Sequence, residues 1–389
     1  MKKVKNHSFK LDDNRRLLTE PENTVTPRIF VAATRQNEGK TTTCLGLFAT
    51  LQSIFPKVGY IKPIGQRFID IDGLKIDEDT FLLDSIYNVE IPMEAMSPVA
   101  IDATFTRRFI DGQVDNKLLV DKICRSFDRA AFGRDAVIIE GSGHAGVGAI
   151  CSLSNAEVAK MLHSKAIIVS SGGIGRPVDE VALNKSLFDK HGVEVIGAIL
   201  NKVQPDKIEL VRNYAGKGLE RLGVPLLGII PVREQLTAPN LSQIIEETKG
   251  RWINGEANGS GERIHRIVVG AMAAKGIIDY FQPGVLVITP GDRDDVLLSA
   301  IASSGISGKK VVSGIILTRD ILPHPKLMEL LQHTQIPIAV CAEDSYAVAS
   351  CIHSMTVKTQ PQDIDKIPII KELVMQNIDL KQIVSRITS

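Results

Sequence analysis

Four things are scarce in this 389-residue sequence, and each scarcity carries information. Net charge is the first: 46 Lys and Arg stand against 45 Asp and Glu, so no global field draws the chain to nucleic acid or to an anionic membrane. Any polyanion must be bound locally. Cysteine is the second. Cys44, Cys124, Cys151, Cys341 and Cys351 are odd in number and lack C-x-x-C spacing, which argues against a disulfide framework and a structural zinc and fits a reducing cytoplasm. Long apolar runs are the third: no stretch of about twenty apolar residues occurs, and "MKKVKNHSFKLDDNRRLL" holds nothing that could act as a signal peptide. The fourth is a single glycine. "AATRQNEGKTTT", Ala32 to Thr43, carries the second half of G-x-x-x-x-G-K-[ST] as Gly39, Lys40 and Thr41, but Thr34 stands where the first glycine belongs.

With 44% hydrophobic and 23% charged residues, the chain can bury large cores, and its length suggests two or three domains. From Arg28 onward, strand-like runs ("RIFVAA", "VGYIKP", "DAVIIEG", "AIIVSS", "VEVIGAILN", "VPLLGIIP") alternate with helical patterns. Continuous apolar strands between helices predict an α/β fold, a mostly parallel sheet flanked by helices, with ligands at the carboxyl ends of its strands. Residues 1–27 read as a tail and 28–250 as the first domain. The Gly-, Asn- and Ser-rich stretch 251–262 reads as a linker. Residues 263–389, with "HRIVVGAM", "GVLVITPGD", "KVVSGIILT" and "IPIAVCA", read as a smaller α/β domain.

"RIFVAATRQNEGKTTTCLGLFATLQ" reads strand, loop, helix, the context a phosphate loop needs. Thr34, Asn37, Glu38 and Gly39 line the loop, and Lys40, Thr41 and Thr42 open the helix. Lys40 would reach the β- and γ-phosphates of a nucleotide, and Thr41 would offer its hydroxyl to Mg²⁺. Lys62 follows a strand at the end where ligands collect, placed to offset charge in phosphoryl transfer. Hard-oxygen metal ligands could come from "KIDED", which supplies Asp77, Glu78 and Asp79 together, although acids at a helix N-terminus would look the same. Glu140 emerges from the buried strand "AVIIE" directly before glycine, where a second metal ligand belongs. Asn201 ends the strand "GAILN" and could pair with a base edge; Pro231 ends "LLGIIP".

"ATRQNEGKT" resembles the G-T-x-T-x-x-G-K-T variant of dethiobiotin synthetases, with Ala33 for the leading glycine and Gln36 for the second threonine. "KPIG", "EGSGHAGVG" and "GIIP" are similar to elements of the same P-loop group, which includes cobyrinic acid a,c-diamide synthases. That resemblance implies ATP and Mg²⁺ as cofactors, Lys40 and Lys62 at the transferred phosphoryl group, Thr41, Asp79 (with Asp77 in reserve) and Glu140 at the metal, and Asn201 and Pro231 near adenine. Over the whole chain, "ATRQNEGKT", "EGSGHAGVG", "SLSNAEVA" and "ITPGDRDD" resemble the N-terminal, non-catalytic half of long bacterial phosphate acetyltransferases, which joins such a domain to a DRTGG domain. "IILTRD" departs from the T-G-G part of that second signature at Arg319 and Asp320.

Two functions follow from these resemblances. One is a regulatory, ATP-binding and slowly hydrolysing protein; the other is an ATP- and Mg²⁺-dependent ligase acting through an acyl or carbamoyl phosphate. No acetyltransferase domain is expected. The further expectations are a cytoplasmic homodimer, a small-molecule ligand in the C-terminal domain, and neither a nucleic-acid nor a membrane partner.

Overall fold

The computed structural model describes residues 16–307 and 311–389. These divide into two compact units, one formed by the chain up to Val232 together with Asp365–Ser389, the other by Arg233–Ile364.

The first unit is built on β1 (Arg28–Ala33), helix α1 (Lys40–Gln52), β2 (Val58–Ile61), α2 (Glu78–Tyr87), α3 (Asn116–Ala131), β3 (Ala136–Glu140), β4 (Lys165–Ser171), α4 (Arg176–Lys190), β5 (Val195–Val203), α5 (Ile208–Arg221) and β6 (Leu226–Pro231). The strands form one six-stranded sheet in the order β6-β5-β4-β1-β3-β2, and every pairing is parallel. Near-continuous burial of β1 and β3 matches their unbroken apolar sequences, because helices cover both faces of such a sheet. Between β2 and α2 an antiparallel hairpin pairs Phe68–Ile71 with Leu74–Asp77 and turns at Asp72 and Gly73, both in left-handed conformation.

In the second unit α6 (Leu241–Glu247) precedes a five-stranded sheet of β7 (Arg251–Asn254), β8 (Arg266–Val269), β9 (Val285–Pro290), β10 (Gly314–Thr318) and β11 (Ile338–Val340), ordered β7-β11-β10-β9-β8. Helices α7 (Asp294–Ser307) and α8 (Ser345–Ser354) belong to the same unit. Alternate residues enter opposite cores: Val285, Val287, Ile315 and Leu317 on one face, Leu286, Ile288 and Ile316 on the other. The chain then returns to the first unit as α9 (Lys366–Asn377) and α10 (Leu380–Ile387).

Two boundaries read from the sequence are corrected. Residues 251–262 are no linker: Arg251–Asn254 pair antiparallel with β11 as an edge strand, and Gly255, at φ 70°, caps the short helix Glu256–Gly259. Their glycines and asparagines punctuate a domain from inside it. Residues 365–389 leave the C-terminal domain assigned to 263–389, because α9 packs on α1. That contact explains why α1 is buried nearly all round, from Thr43 to Leu51, instead of showing one apolar stripe. It also explains Gly46, where a Cβ would fall 2.2 Å from a Val374 methyl. Of the expected tail, residues 1–15 lie outside the described residues. Later in it, Leu18 N–H donates to Asp121 and Asn23 N–H to Asp128, while the Arg28 guanidinium donates to the Asn23 carbonyl, so α3 ties the segment down.

The Arg319–Asp320 departure has a backbone consequence. Both residues hold positive φ (63° and 52°), and Ile321 N–H donates to the Thr318 carbonyl at 3.3 Å, which makes a turn that two glycines would adopt without strain. A left-handed L-residue costs about 1–2 kcal/mol, offset by about 0.5–1 kcal/mol for glycine's greater freedom when unfolded. Arg319→Gly is therefore expected to stabilise the second unit by about 0.5–1 kcal/mol, read as a higher midpoint in chemical denaturation.

Candidate functional site

The loop between β1 and α1 is bent by two left-handed residues, Asn37 at φ 65° and Gly39 at φ 86°. Gly39 caps α1, and the first helical N–H groups, on Lys40, Thr41 and Thr42, have no partner one turn back. Such a head of a helix favours an anion. The position that lacks its glycine is well fitted to threonine: Thr34 is buried, its N–H donates to the Val169 carbonyl at 2.8 Å, and its hydroxyl bonds Ser170 at 3.1 Å. Thr34 thus anchors the strand end, while Gly39 supplies the close approach that no side chain could share.

Asn201 lies against the loop from the end of β5. Its amide nitrogen donates to the Glu38 carbonyl (2.9 Å), and its amide oxygen accepts from Lys202 N–H (2.9 Å). Lys202 Nζ in turn donates to the Asn37 carbonyl at 2.6 Å. Both amide atoms are engaged by main chain, so here Asn201 clamps the loop, and reading a base edge would break these bonds. Pro231 ends β6, the strand next to β5, and pairs in register with Val203, two residues beyond Asn201.

The carboxylate of Glu140 is fully buried at the end of β3, the neighbour of β1. Its Oε1 accepts from the Thr41 hydroxyl at 2.9 Å and pairs with Lys40 Nζ at 3.3 Å; its Oε2 accepts from the Tyr60 hydroxyl at 2.9 Å. Burial and the Glu140 charge together hold both the Tyr60 phenol and the Cys44 thiol well above their ordinary pKa.

Lys62 forms a second cluster with Asp77 (2.8 Å) and Asp79. Burial works against its ammonium, but the charges of Asp79, Asp77 and Glu140 outweigh burial and raise its pKa. Asp77 is pushed up to about 6, by burial first, with Lys62 opposing and Asp79 adding. Asp77 also caps α2, accepting from Asp79 N–H at 2.9 Å, so the helix-cap reading holds for that residue. The structure thus brings Lys40, Thr41 and Glu140 together as the sequence placed them, whereas Asp79 is engaged by Lys62.

Among the described residues no three His, Cys, Asp or Glu side chains form a metal cluster. The donor set nonetheless fits Mg²⁺, which takes hard oxygens and commonly binds through one or two carboxylates plus substrate phosphates instead of an all-protein cage. Thr41 and Glu140 supply two such donors side by side. At the mouth of the loop the exposed Arg35 pairs with Glu180 at 2.8 Å, and Arg176 shares the same carboxylate.

Sequence reasoning missed Tyr60, Cys44 and Ser170. A signal existed for Tyr60: in a strand, residues two apart share a face, and Tyr60 precedes Lys62 by two. Nothing local marked Ser170, whose role arises from the pairing of β1 with β4.

Comparison with known proteins agrees with this architecture. A family model described as an AAA domain matches residues 27–240, and a DRTGG domain model matches residues 243–355. The phosphate acetyltransferase of Pseudomonas aeruginosa is 29% identical over 376 residues, covering 92% of this chain and 51% of the relative. That of Nitrosomonas europaea is 27% identical over 368 residues, with the same coverage of both. The chain therefore spans about half the length of the curated relatives it matches. Among solved structures, the MinD cell division protein of Aquifex aeolicus is similar at 16% identity and a TM-score of 0.33, over 54% of this chain and 84% of that one. No helix among the described residues is long and apolar enough to cross a membrane. With the AAA domain model matched over more than half its length and a DRTGG domain following, the chain belongs to the P-loop AAA domain family, in the two-domain arrangement related to the N-terminal region of phosphate acetyltransferases.

Proposed function

We propose that this protein binds Mg·ATP at the head of α1 as a regulatory module, hydrolysing it slowly if at all. The observation that carries the reading is the convergence of Lys40 and Thr41 on the buried Glu140 beside the left-handed Gly39. A lysine, a hydroxyl and a carboxylate meet there at a helix N-terminus, the set a triphosphate and its metal require. Thr41 and Glu140 would hold Mg²⁺, with Asp79 joining once released from Lys62, and the ion would supply positive charge at the phosphate oxygens. Lys40 would leave Glu140 for the β- and γ-phosphates. The clamp from Asn201 and Lys202 keeps the loop in its anion-ready shape. A homodimer, a small ligand in the second unit and a cytoplasmic location belong to the same reading.

One observation favours a second reading, an ATP-dependent ligase of the dethiobiotin synthetase or cobyrinate diamide synthase type. Lys62 is a second buried cation within the field of the same Glu140, and nucleotide sensing alone does not need it. In that chemistry a substrate carboxylate or carbamate oxygen attacks the γ-phosphorus, ADP leaves, and an amine then displaces phosphate from the mixed anhydride. Gln36, in place of the threonine near substrate, tips the balance to regulation. Acetyl transfer is not part of the proposal.

Phosphate release from Mg·ATP, measured with and without 7,8-diaminononanoate plus bicarbonate, separates the two. Slow hydrolysis indifferent to substrate is expected; substrate-stimulated turnover of about one per second or faster would establish the ligase. Lys40→Ala should abolish either activity.

A further inference from the structure

We infer that Tyr60 is a positioning residue for the metal-facing carboxylate: its hydroxyl fixes one oxygen of Glu140 so that the other is presented to Thr41 and to a divalent cation. The inference rests on the nucleotide reading above and extends it to a residue that no phosphate-loop motif contains.

Tyr60 lies in β2, registered against Ile138 of β3, and both Tyr60 and Glu140 are fully buried. Ile138 and Glu140 share a face of β3, so the phenol reaches along the sheet to the strand end. Oε2 accepts from the Tyr60 hydroxyl and Oε1 faces Thr41 and Lys40, with the Cys44 thiol also against the carboxylate. A glutamate with one oxygen so held cannot rotate to a different presentation without leaving a buried hydroxyl unpaired, which costs about 1–3 kcal/mol. Partners that orient a metal-ligating carboxylate in this way commonly change metal affinity by about 10–100-fold.

The test uses the full chain with Mn²⁺ as the probe, titrated by electron paramagnetic resonance in the presence of ADP, beside ADP binding without metal. Tyr60→Phe keeps the ring and its packing. It is expected to weaken Mn²⁺ binding by about tenfold while metal-free ADP affinity moves less than about twofold. In a Glu140→Gln background, Tyr60→Phe should add nothing further, because the hydroxyl acts through that carboxylate. Mn²⁺ affinity unchanged in Tyr60→Phe, or equal losses with and without metal, would reduce Tyr60 to core packing and leave the nucleotide reading intact. Failure of the unsubstituted protein to bind ADP at all would overturn both together.

Discussion

A chain ending at Ile364 is expected not to fold its first unit, even though both family models lie wholly within what remains. The missing segment, α9 and α10, buries Ile370, Leu373, Val374 and Ile383 in the first unit. At about 1.5–3 kcal/mol for each fully buried aliphatic side chain, their loss is worth about 6–12 kcal/mol. A whole domain is stable by about 5–15 kcal/mol, so this loss is of the same size as the total. Truncation would also uncover the side of α1 that Val374 covers and the edge of β6. There Gly228 bridges Ile378, and Asp379 N–H donates to the Leu227 carbonyl at 2.7 Å. Circular dichroism and urea titration of residues 1–364 should show no cooperative transition for the first unit. A native-like transition would mean that the returning helices are decoration.

Gly39→Ala is expected to weaken nucleotide binding by about ten- to three-hundredfold without unfolding the protein. The left-handed conformation costs an alanine about 1–2 kcal/mol. The new Cβ would also stand 2.1 Å from Asn201 Nδ2, which must give up its bond to the Glu38 carbonyl, worth about 0.5–1.5 kcal/mol. The free loop relaxes out of this strain and must return to its shape to bind, at a cost of about 1.5–3.5 kcal/mol, and each 1.4 kcal/mol is a factor of about ten in affinity. Calorimetric titration with Mg·ATP, alongside thermal unfolding, checks both halves of the statement. Unchanged affinity would show that the loop's shape does not matter to binding.

Much of the first unit was legible because its signals are local. Apolar runs of strand length between helical stretches gave the parallel sheet, and "NEGKTTT" gave the loop and the helix it opens. Glu140 could be placed beside Lys40 and Thr41 because a buried strand running straight into glycine delivers its last side chain to the carboxyl edge of the sheet. What stayed hidden depends on partners distant in sequence. Asn201 carries the amide a base edge needs, and its bond to the Glu38 carbonyl links positions 163 residues apart, which no local pattern reveals. Asp79 has the residue type of a metal ligand, yet Lys62 of the same cluster engages it. Residues 365–389 carry a helical pattern that fits either unit, and the packing of Val374 on Gly46 together with the Gly228–Ile378 bridge assigns them. The glycines of 251–262 mark a cap and an edge strand as readily as a linker, so composition alone misplaced that boundary.

The most direct test of the account is an isothermal titration of the 389-residue chain and of its Lys40→Ala variant with Mg·ATP. The account predicts saturable binding of one nucleotide per chain by the unsubstituted protein and none by the variant. Absence of binding in the unsubstituted protein at millimolar Mg·ATP, or equal binding by both proteins, would contradict it.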